Sequence, residues 1–327
     1  MKVLFIGGTG NISAAVSRLC VFRGLDLYLL NRGMRDIEIE GTKKIIADIS
    51  NFNEIYDALK NHQWDVVVNW IAFEESDIKR DIELFRDKTK QYIFISSASA
   101  YQKPPVNYLI TESTPLSNPF WNYSQKKIEC ENILNHSFLT ERFPITIVRP
   151  SLTYDTVIPI PFGGWTEYTI IDRIKKGKKI IIHGDGTSLW TITHSEDFAK
   201  GFIGLLGNQL AIGNSFHITS DEVLSWNQIY DLVADTIGTR ANVIHIPSDF
   251  ICNIDKSKIG TLLGDKTYST VFDNSKIKKY VPDFKADIPF KDGFKRTINW
   301  FELIPKRKII NYKSNKMIDK IINAYVT

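Results

Sequence analysis

The stretch MKVLFIGGTGNIS, residues 1–13, decides the fold of this chain. Its apolar run at residues 3–6 is typical of a buried strand, and the glycines directly after it predict a tight turn. From residue 12 onwards apolar side chains recur at helical spacing as far as Gly24, which predicts a helix that ends there. The chain therefore begins with a strand, a glycine-rich turn and a helix.

The glycine-rich turn predicts a binding site for a dinucleotide. Read from Gly8, the spacing Gly-x-Gly-x-x-Ser differs in one residue from the fingerprint Gly-x-Gly-x-x-Gly/Ala. The first glycines, Gly7 and Gly8, permit the turn, and Gly10 lets the backbone approach a pyrophosphate. The N–H groups at the helix start, where Asn11 and Ile12 lie, would then hold the anion.

Short apolar runs alternate with segments of helical period through the first half of the chain. The runs that predict strands are residues 3–6, 27–30, 44–47, 66–68, 92–95 and 145–148. Strands that alternate with helices favour parallel pairing, because each crossover helix covers one face of the sheet. The sequence therefore predicts an α/β fold, a doubly wound parallel (Rossmann) sheet with a smaller, mostly C-terminal substrate lobe.

The pattern changes after Pro150, where loops and short elements follow one another. We expect a dinucleotide-binding Rossmann domain at residues 1–165, to which later segments such as 190–220 return. Residues 166–327 would form the substrate-binding lobe and end in a basic C-terminal tail.

The composition is that of an ordinary globular enzyme, with 327 residues of which 43% are apolar and 24% charged. These proportions exclude a disordered or collagen-like chain. No stretch reaches the length of a membrane span, and the first apolar run is too short for a signal peptide. The three cysteines are far apart and the histidines show no ligand spacing, which favours a reduced, cytoplasmic protein without a metal site.

The net charge of +4 is unevenly distributed along the chain. From residue 305 to the C-terminus, six lysines and arginines stand against one acid, Asp319, so this tail alone carries +5. Such a tail could attract nucleic acid, a membrane surface or a phosphorylated ligand. The interpretation we favour is a solvated amphipathic helix whose apolar residues face the body of the protein. Those residues are Ile309, Ile310, Met317, Ile318, Ile321 and Ile322.

The end of the second predicted strand indicates which dinucleotide binds. An acidic residue there would bind the ribose hydroxyls of NAD, but the sequence reads Leu30-Asn31-Arg32-Gly33. Arg32 can stack on adenine and pair with a 2′-phosphate, which favours NADP, with NAD still possible. Further cofactor-binding candidates beside Asn31 and Arg32 are Asp48, Ile49, Asn69, Ile71 and Pro150.

Tyr123 and Lys127 lie four residues apart on a predicted helix, so both side chains project from one face. A serine-rich run at residues 96–99 follows the strand at 92–95, at the sheet edge where such folds bind ligands. Hydride transfer at a carbinol or ketone needs such a serine, tyrosine and lysine together. A nearby ammonium lowers the phenol pKa from its usual value of about 10, and the phenol then exchanges a proton with the substrate oxygen. Lys127 would also hold the nicotinamide ribose, and a serine would position the reacting oxygen.

With these motifs in order, the sequence resembles the extended short-chain dehydrogenase/reductase family, the NAD-dependent epimerase/dehydratase group that acts largely on nucleotide sugars. The matching segments are residues 7–12, 95–101, 123–127, 148–150, 183–186 and 194–199. The resemblance implies that Ser97 is the catalytic serine, with Ser99 as the next candidate. Relatives often pair through the helix that bears Tyr123, so a homodimer is possible and the oligomeric state stays open. The end of the second strand also resembles an atypical branch that includes proteins similar to chloroplast stem-loop RNA-binding proteins.

The chain departs from the family pattern at three places. Sugar-nucleotide dehydratases carry an Asp-Glu pair directly after the catalytic residue, where this chain has Ala98 and Ser99. The asparagine that often follows the Arg-Pro strand is replaced by Ser151, and Trp190 stands where relatives often carry a basic residue. These departures disfavour dehydration and change the expected contacts to a substrate diphosphate.

Together the motifs predict an NADP(H)-preferring oxidoreductase that reduces a 4-keto group of a nucleotide-linked (6-deoxy)hexose. An NAD-dependent nucleotide-sugar 4-epimerase is the alternative. An RNA-binding protein on the same fold is an alternative of another class, which the intact catalytic set disfavours. The substrate-contact candidates are Ser99, Trp165, Arg173, Trp190 and Lys266.

Overall fold

The computed structural model describes residues 1–34 and 37–327. The strands are β1 (Lys2–Ile6), β2 (Asp26–Asn31), β3 (Lys43–Ile46), β4 (Val66–Asn69), β5 (Tyr92–Ile95), β6 (Leu109–Ile110), β7 (Ile145–Pro150), β8 (Leu152–Tyr154), β9 (Lys179–His183), β10 (Leu189–Trp190), β11 (Ile192–His194), β12 (Asn214–Ile218), β13 (Leu224–Ser225), β14 (Asn242–Ile246) and β15 (Val271–Phe272). The α-helices are α1 (Ser13–Phe22), α2 (Phe52–Leu59), α3 (Glu75–Phe85), α4 (Asn122–Glu141), α5 (Thr169–Lys175), α6 (Ser195–Ile203), α7 (Trp226–Thr236), α8 (Ser248–Ile254), α9 (Ile259–Thr261), α10 (Ser275–Tyr280), α11 (Phe290–Leu303) and α12 (Tyr312–Val326).

The central sheet has seven strands, all parallel, in the order β12-β7-β5-β4-β1-β2-β3. β1 lies between β2 and β4, with Val3 beside both Leu27 and Val66. After β3 the chain returns to the other side of β1, so the point where the strand order reverses lies between β1 and β4. Ligands of open α/β sheets bind at the carboxyl ends of the strands at this point. The doubly wound fold predicted from the sequence is confirmed.

The opening strand is buried because helices cover both faces of the sheet. Val3, Leu4, Phe5 and Ile6 have no solvent exposure. Since side chains alternate along a strand, Val3 and Phe5 pack into a core with residues of α1 and α6, whereas Leu4 and Ile6 pack with residues of α2, α3 and α4. A strand covered on both faces requires a continuous apolar run, which is what the sequence supplies.

A third apolar core forms the smaller lobe, built mainly from α5, α7, α8, α11, α12 and the parallel pair β9 and β14. The lobe is interrupted in sequence, because α6 packs on α1 and β12 pairs with β7 of the central sheet. Both of these elements fall within residues 190–220, the segment expected to return to the first domain. The lobe core also reaches back to Leu152 and Tyr154, which directly follow the central sheet.

The C-terminal tail differs from its sequence-based interpretation in one respect. In α12, Ile318, Ile321 and Ile322 are buried against the lobe, as expected. Ile309 and Ile310, in the segment before α12, are 58% and 46% exposed. The expectation that these two face the body is wrong, because hydrogen bonds to the start of α5 hold the backbone of this segment and leave its side chains outside.

The cysteines Cys20, Cys130 and Cys252 are buried and free. In the described ranges, no helix is long and apolar enough to cross a bilayer. The same ranges hold no group of three side chains that could ligate a metal ion.

Candidate active site

A cleft of about 1450 Å³ lies at the carboxyl edge of the central sheet and is bounded on one side by the smaller lobe. The turns after β1 to β5 and the start of α4 line it. The predicted site residues that line this cleft are Gly7, Gly10, Asn11, Ile12, Asn31, Arg32, Asp48, Ile49, Ile71, Ser97, Ser99, Tyr123, Lys127, Pro150, Trp165, Trp190 and Lys266. Two predicted residues, Asn69 and Arg173, are positioned elsewhere.

The glycine-rich turn leaves room for a ligand at the start of α1. Gly7 and Gly8 have φ angles of +97° and +100°, a region that residues with a side chain rarely adopt. A Cβ added at Gly8 would lie 2.7 Å from Cδ2 of Leu29. The Gly10 N–H donates to the Ser13 hydroxyl at 2.8 Å, so the serine in the third fingerprint position closes the turn on its own helix. The first N–H groups of α1 therefore lie where a pyrophosphate would bind.

Asn11 joins this turn to the strand that follows the central sheet. Its Nδ2 donates to the Thr153 carbonyl at 2.9 Å, and its Oδ1 accepts the Asp155 N–H at 3.1 Å. Both ends of the side-chain amide are therefore used within the protein. The backbone of Asn11 is the part that faces the cleft for a phosphate contact.

Two cationic side chains line the cleft beside β2 and β3. Arg32 follows β2, and Lys44 lies on β3. Lys44 could not be predicted from the sequence, because a lysine on a short edge strand follows no motif. Hydrogen bonds from the N–H and hydroxyl of Ser50 hold the pKa of Asp48 below its usual range, and the Arg32 charge lowers it further. Asp48 is therefore an anion positioned to accept hydrogen bonds in the cleft.

Asn69 is buried and has no exposed surface in the cleft. Its Oδ1 accepts the N–H groups of Ile71 at 2.9 Å and Ala72 at 2.8 Å, and its Nδ2 donates to the buried carboxylate of Asp81. The prediction that Asn69 contacts a cofactor is wrong for this geometry, because its polar atoms are already bonded inside the protein. Asn69 shapes the turn after β4, and Ile71 of that turn lines the cleft, 53% exposed.

Lys127 lies on α4 with its ammonium at the carboxyl edge of the sheet. Nζ donates to the carbonyl oxygens of Ala72 at 2.7 Å and Ile95 at 2.8 Å. The side chain is buried, and this burial lowers the pKa of Lys127 to about 8. An ammonium has three N–H donors, so one stays available for a ligand in the cleft.

Tyr123 stands one helical turn before Lys127 and lines the same cleft. The Lys127 Nζ lies 5.9 Å from the centre of the phenol ring. Burial raises the pKa of Tyr123, hydrogen bonding with Ser97 lowers it, and the Asp265 charge raises it again. The structure does not meet the expectation that the Lys127 ammonium lowers the pKa of Tyr123. That ammonium is hydrogen-bonded to two carbonyls, and the burial of the phenol has the larger effect. The phenol is therefore neutral at neutral pH and can act as a proton donor.

A chain of hydroxyl groups leads from Ser97 into the protein interior. Ser97 Oγ lies 2.8 Å from Ser99 Oγ and accepts the Ser99 N–H at 3.2 Å. Ser124 Oγ donates to Ser99 Oγ at 2.8 Å, which leaves the Ser99 hydroxyl to donate to Ser97. The Ser97 proton is then directed to the phenol of Tyr123 or to a substrate oxygen. Ser99 thus has a supporting position behind Ser97.

Aromatic side chains enclose the Tyr123 phenol. The Phe73 ring stacks on it at 5.3 Å between centroids, and the Trp121 ring lies 5.2 Å away. A π-helical turn of the lobe, Leu262–Lys266, follows Gly260, where an added Cβ would overlap the Trp121 ring. The sequence analysis missed Trp121, although its position two residues before Tyr123 is a signal that could have found it.

Asn118 links the lobe to the serine chain. Its Nδ2 donates to the Gly264 carbonyl at 2.7 Å and to the Ser99 carbonyl at 2.8 Å. Asn118 is buried, so these bonds are shielded from water. The position of the π-helical turn and the position of Ser99 are therefore coupled through one amide. No motif marks Asn118 in the sequence.

Charged and aromatic side chains form the lobe side of the cleft. Lys266 is buried and pairs with Asp265 at 2.8 Å, and its Nζ lies 5.7 Å from the centre of the Trp190 ring. Lys103, which the sequence analysis missed, is also buried and donates to the Thr270 hydroxyl at 3.2 Å. Burial lowers the pKa of Lys103. Lys266 lines the cleft, whereas Lys103 lies behind Thr270 and outside the lining, so Lys266 is the cation of this wall that an anionic group of a ligand could reach.

Arg173 is a structural residue of the lobe. Its Nη2 donates to the Lys179 carbonyl at 2.8 Å and to the Asp319 carboxylate at 2.6 Å, and its Nη1 donates to Asn315 at 3.0 Å. The prediction of a substrate contact is wrong for Arg173, because its guanidinium joins α5 to α12. Trp165, by contrast, lines the cleft and is 43% exposed, so it borders the entrance.

The sequence profile of the NAD dependent epimerase/dehydratase family matches residues 3–218, and the chain belongs to this family. The family indicated by the motifs is confirmed, and with it the class of NAD(P)-dependent enzymes. The chain is 25% identical to the chloroplast stem-loop binding protein of 41 kDa b from Arabidopsis thaliana, over 76% of this chain and 67% of that protein. It is 20% identical to 2′-dehydrokanamycin reductase from Streptomyces kanamyceticus, over 87% of this chain and 80% of that protein.

The fold is also that of a solved sugar-nucleotide enzyme. UDP-glucose 4-epimerase from Bifidobacterium longum, in complex with NAD⁺ and UDP, superposes with a TM-score of 0.73 at 16% identity. The match covers 94% of this chain and 100% of that protein. At this identity the similarity establishes the architecture, in agreement with the strand order described above.

Proposed function

We propose that this protein is an NADP(H)-preferring oxidoreductase that reduces a 4-keto group on a nucleotide-linked sugar. The observation that carries the proposal is the convergence of Ser97, Tyr123 and Lys127 at the carboxyl edge of the sheet, in one cleft with the glycine-rich turn. A nicotinamide dinucleotide, when bound, would supply the hydride. Gly7, Gly8 and Gly10 line the cleft at the start of α1, and their close packing on neighbouring residues brings the backbone to where its pyrophosphate would fit.

The proton comes from Tyr123. As the carbonyl carbon gains a hydride, the carbonyl oxygen takes the phenol proton, and the product is an alcohol. Ser97 donates to the same oxygen and holds it against the phenol. The Lys127 ammonium would stabilise the phenolate that remains until solvent returns the proton, and its third N–H could hold the ribose hydroxyls of a bound dinucleotide.

The electrostatics of the site favour this direction. Burial raises the pKa of Tyr123, so the group starts the cycle as the neutral acid that a reduction needs. An oxidation would need the phenolate at the start. A raised pKa therefore supports proton donation to a ketone.

The preference for NADP is supported by the cations beside β2 and β3. Arg32 and Lys44 both line that wall, with the Lys44 ammonium paired to Glu38 at 2.7 Å, and the end of β2 carries no carboxylate for the ribose hydroxyls of NAD. A guanidinium and an ammonium can pair with a 2′-phosphate, which a carboxylate would repel.

The substrate class is supported by the lobe side of the cleft and by the named relatives. Lys266 suits a diphosphate, and Trp190 and Trp165 suit a sugar or base ring. One solved neighbour binds UDP and one curated relative is a reductase. Ala98 follows Ser97 where a dehydratase carries a carboxylate, which disfavours elimination.

The decisive experiment is cofactor stoichiometry. Purified protein with NADPH and a 4-keto-6-deoxyhexose nucleotide is expected to consume one NADPH for each alcohol formed. Tyr123→Phe should bind the dinucleotide as the wild type does and lose turnover by a factor of about 10² to 10⁴. Tyr108→Phe, at a tyrosine that is 60% exposed, is the matched control and should keep full turnover.

Two other results would replace this proposal. Interconversion of two nucleotide sugars with a retained dinucleotide and no net NADPH consumption would establish the epimerase, which the UDP-bound neighbour favours. Salt-dependent RNA binding that survives Tyr123→Phe, without reductase turnover, would establish the RNA-binding alternative, which the plant relative favours.

A further inference from the structure

A surface of the lobe outside the cleft combines exposed aliphatic side chains with cations. We call the side chains exposed between Leu303 and Lys313 the basic–apolar face. Its apolar members, between 40% and 76% exposed, are Leu303, Ile304, Ile309, Ile310 and Tyr312. Its cationic members are Lys306, Arg307, Lys308 and Lys313. Large contiguous patches of exposed apolar side chains, rimmed by polar residues, mark sites that bind a protein or a membrane.

The exposure follows from the way the segment is held. The Ile309 carbonyl accepts the Tyr168 N–H at 2.7 Å, and the Asn311 N–H donates to the Thr169 hydroxyl at 2.9 Å. Arg307 donates to the Trp300 carbonyl at 2.8 Å and lies 4.0 Å from the centre of the Trp300 ring. The backbone is therefore anchored on the lobe while the aliphatic side chains point outwards.

The cations of this face outnumber the carboxylates beside it. The sequence has no aspartate or glutamate from residue 303 to residue 318. Of the bordering carboxylates, Glu302 pairs with Lys175 and Asp319 with Arg173, while Glu167 accepts hydrogen bonds from Asn311 and Ser314. Within residues 1–34 and 37–327, no carboxylate lies within 4 Å of the ammonium of Lys306 or Lys308.

We propose that the basic–apolar face binds the surface of an anionic phospholipid bilayer. Lysines on such a face pair with lipid phosphates, and aliphatic side chains beside them enter the boundary between headgroups and acyl chains. Long lysine side chains can keep their ammonium at the phosphates while their stems stay with the apolar residues. The contact is peripheral, and it does not depend on the reaction proposed above.

Charge and chemistry favour a lipid surface over two other occupants. A second copy of this chain, packed through the same face, would bring like charges together. Single-stranded nucleic acid binds cations interleaved with several aromatic rings on which its bases stack. This face offers one exposed ring, Tyr312, and nucleic acid would leave the isoleucines and the leucine without a partner. An anionic bilayer uses both kinds of side chain.

The face is connected to the rim of the cleft. Its anchors are Tyr168 and Thr169, and Trp165 of the same loop lines the cleft. Binding at a bilayer would therefore position the cleft entrance near the lipid headgroups.

The test is vesicle binding by the full chain. Wild-type protein is expected to sediment with vesicles of phosphatidylglycerol and phosphatidylcholine in equal parts, and to stay in solution with pure phosphatidylcholine. Added salt should weaken the binding. Lys306→Glu combined with Lys308→Glu should weaken it by more than about thirtyfold, since each cation near an anionic surface contributes about fivefold and each new carboxylate adds repulsion.

Two further variants separate the parts of the face. Ile309→Ser with Ile310→Ser should weaken binding at low salt without changing the net charge. Lys291→Glu with Lys295→Glu, on exposed positions of α11, repeats the charge change elsewhere on the lobe and should bind like wild type. All these positions are exposed, and matching circular dichroism and melting temperatures would confirm that each variant is folded.

The proposal is overturned if wild-type protein stays in solution with the anionic vesicles. It is also overturned if the α11 control loses binding as strongly as the face variants, because attraction would then be general. RNA binding or self-association that the face variants abolish, in place of lipid binding, would assign the face to that partner.

Discussion

Replacing Lys127 with methionine removes a buried ammonium and keeps a side chain of similar length. Burial lowers the pKa of Lys127 from 10.5 to about 8, a difference that corresponds to about 3 kcal/mol between the folded and unfolded chain. Between these two pH values the unfolded chain binds more protons than the folded one. The free energy of unfolding of the wild type should therefore rise with pH through this window, relative to the variant.

Urea unfolding of both proteins, on either side of the window, measures this effect. Below pH 8 the Lys127 ammonium is charged in the folded protein, and the burial of this charge lowers the free energy of unfolding of the wild type. The hydrogen bonds to the Ala72 and Ile95 carbonyls offset part of that cost. Above pH 10.5 the amine is neutral in both states, so the wild type should gain about 3 kcal/mol relative to Lys127→Met. Turnover should fall above a pH of about 8, because the folded protein then loses the Lys127 ammonium that stabilises the Tyr123 phenolate.

The matched control is Lys126→Met, on the neighbouring position of α4, where the ammonium pairs with Glu74 at the surface. This variant should keep the wild-type pH profile of turnover. A stability difference between wild type and Lys127→Met that stays constant with pH, or that falls as pH rises, would refute the reasoning about burial.

Three further perturbations test other parts of the cleft. Gly8→Ala should destabilise the fold by about 1–3 kcal/mol in urea unfolding and abolish dinucleotide binding in a fluorescence titration, because its Cβ would lie 2.7 Å from Leu29 Cδ2 at a φ of +100°. Ser99→Ala removes the hydroxyl that lies 2.8 Å from Ser97, so kcat should fall by about tenfold or more in steady-state assays while KM stays within about threefold. Arg32→Ser should reduce kcat/KM for NADPH by about ten- to a hundredfold and leave the value for NADH nearly unchanged.

The outcomes that contradict these expectations are specific. Wild-type dinucleotide affinity in Gly8→Ala would mean that the turn is not the pyrophosphate site. A Ser99→Ala effect confined to KM would make Ser99 a substrate contact and not a positioning residue. The control for Ser99→Ala is Ser113→Ala, which removes an exposed hydroxyl 2.8 Å from that of Thr111 and should leave kcat and KM unchanged. Equal losses with NADPH and NADH in Arg32→Ser would exclude 2′-phosphate recognition.

The strands of the central sheet could be predicted because burial on both faces leaves a local trace. The predicted run at 92–95 matches β5, and the runs at 27–30, 66–68 and 145–148 lie within β2, β4 and β7. The glycine-rich turn could also be predicted, because Gly7 and Gly8 adopt φ angles that few other residues tolerate. A helical spacing of four also put Tyr123 and Lys127 on one face.

Side chains that act through distant partners could not be predicted in this way. Asn69 and Arg173 have the right residue types for ligand contacts, yet their hydrogen bonds go to Asp81 and Asp319 in the protein interior. Asn118 reaches Gly264, which is far away in sequence, and no local pattern encodes that contact. The Tyr123 pKa is a further case, because burial depends on the lobe that covers the phenol.

The amino-acid sequence by itself determined the parallel sheet, the glycine-rich turn and the spacing of the Tyr-Lys pair, since each depends on neighbours within a few residues. Only the tertiary structure decided which polar side chains face the cleft and which form their hydrogen bonds inside the protein. It also decided that Ile309 and Ile310 lie outside the body, because the backbone bond from Tyr168 orients that segment. Hydrogen-bond partners and burial are properties of the folded chain, because only folding brings together residues that are far apart in sequence.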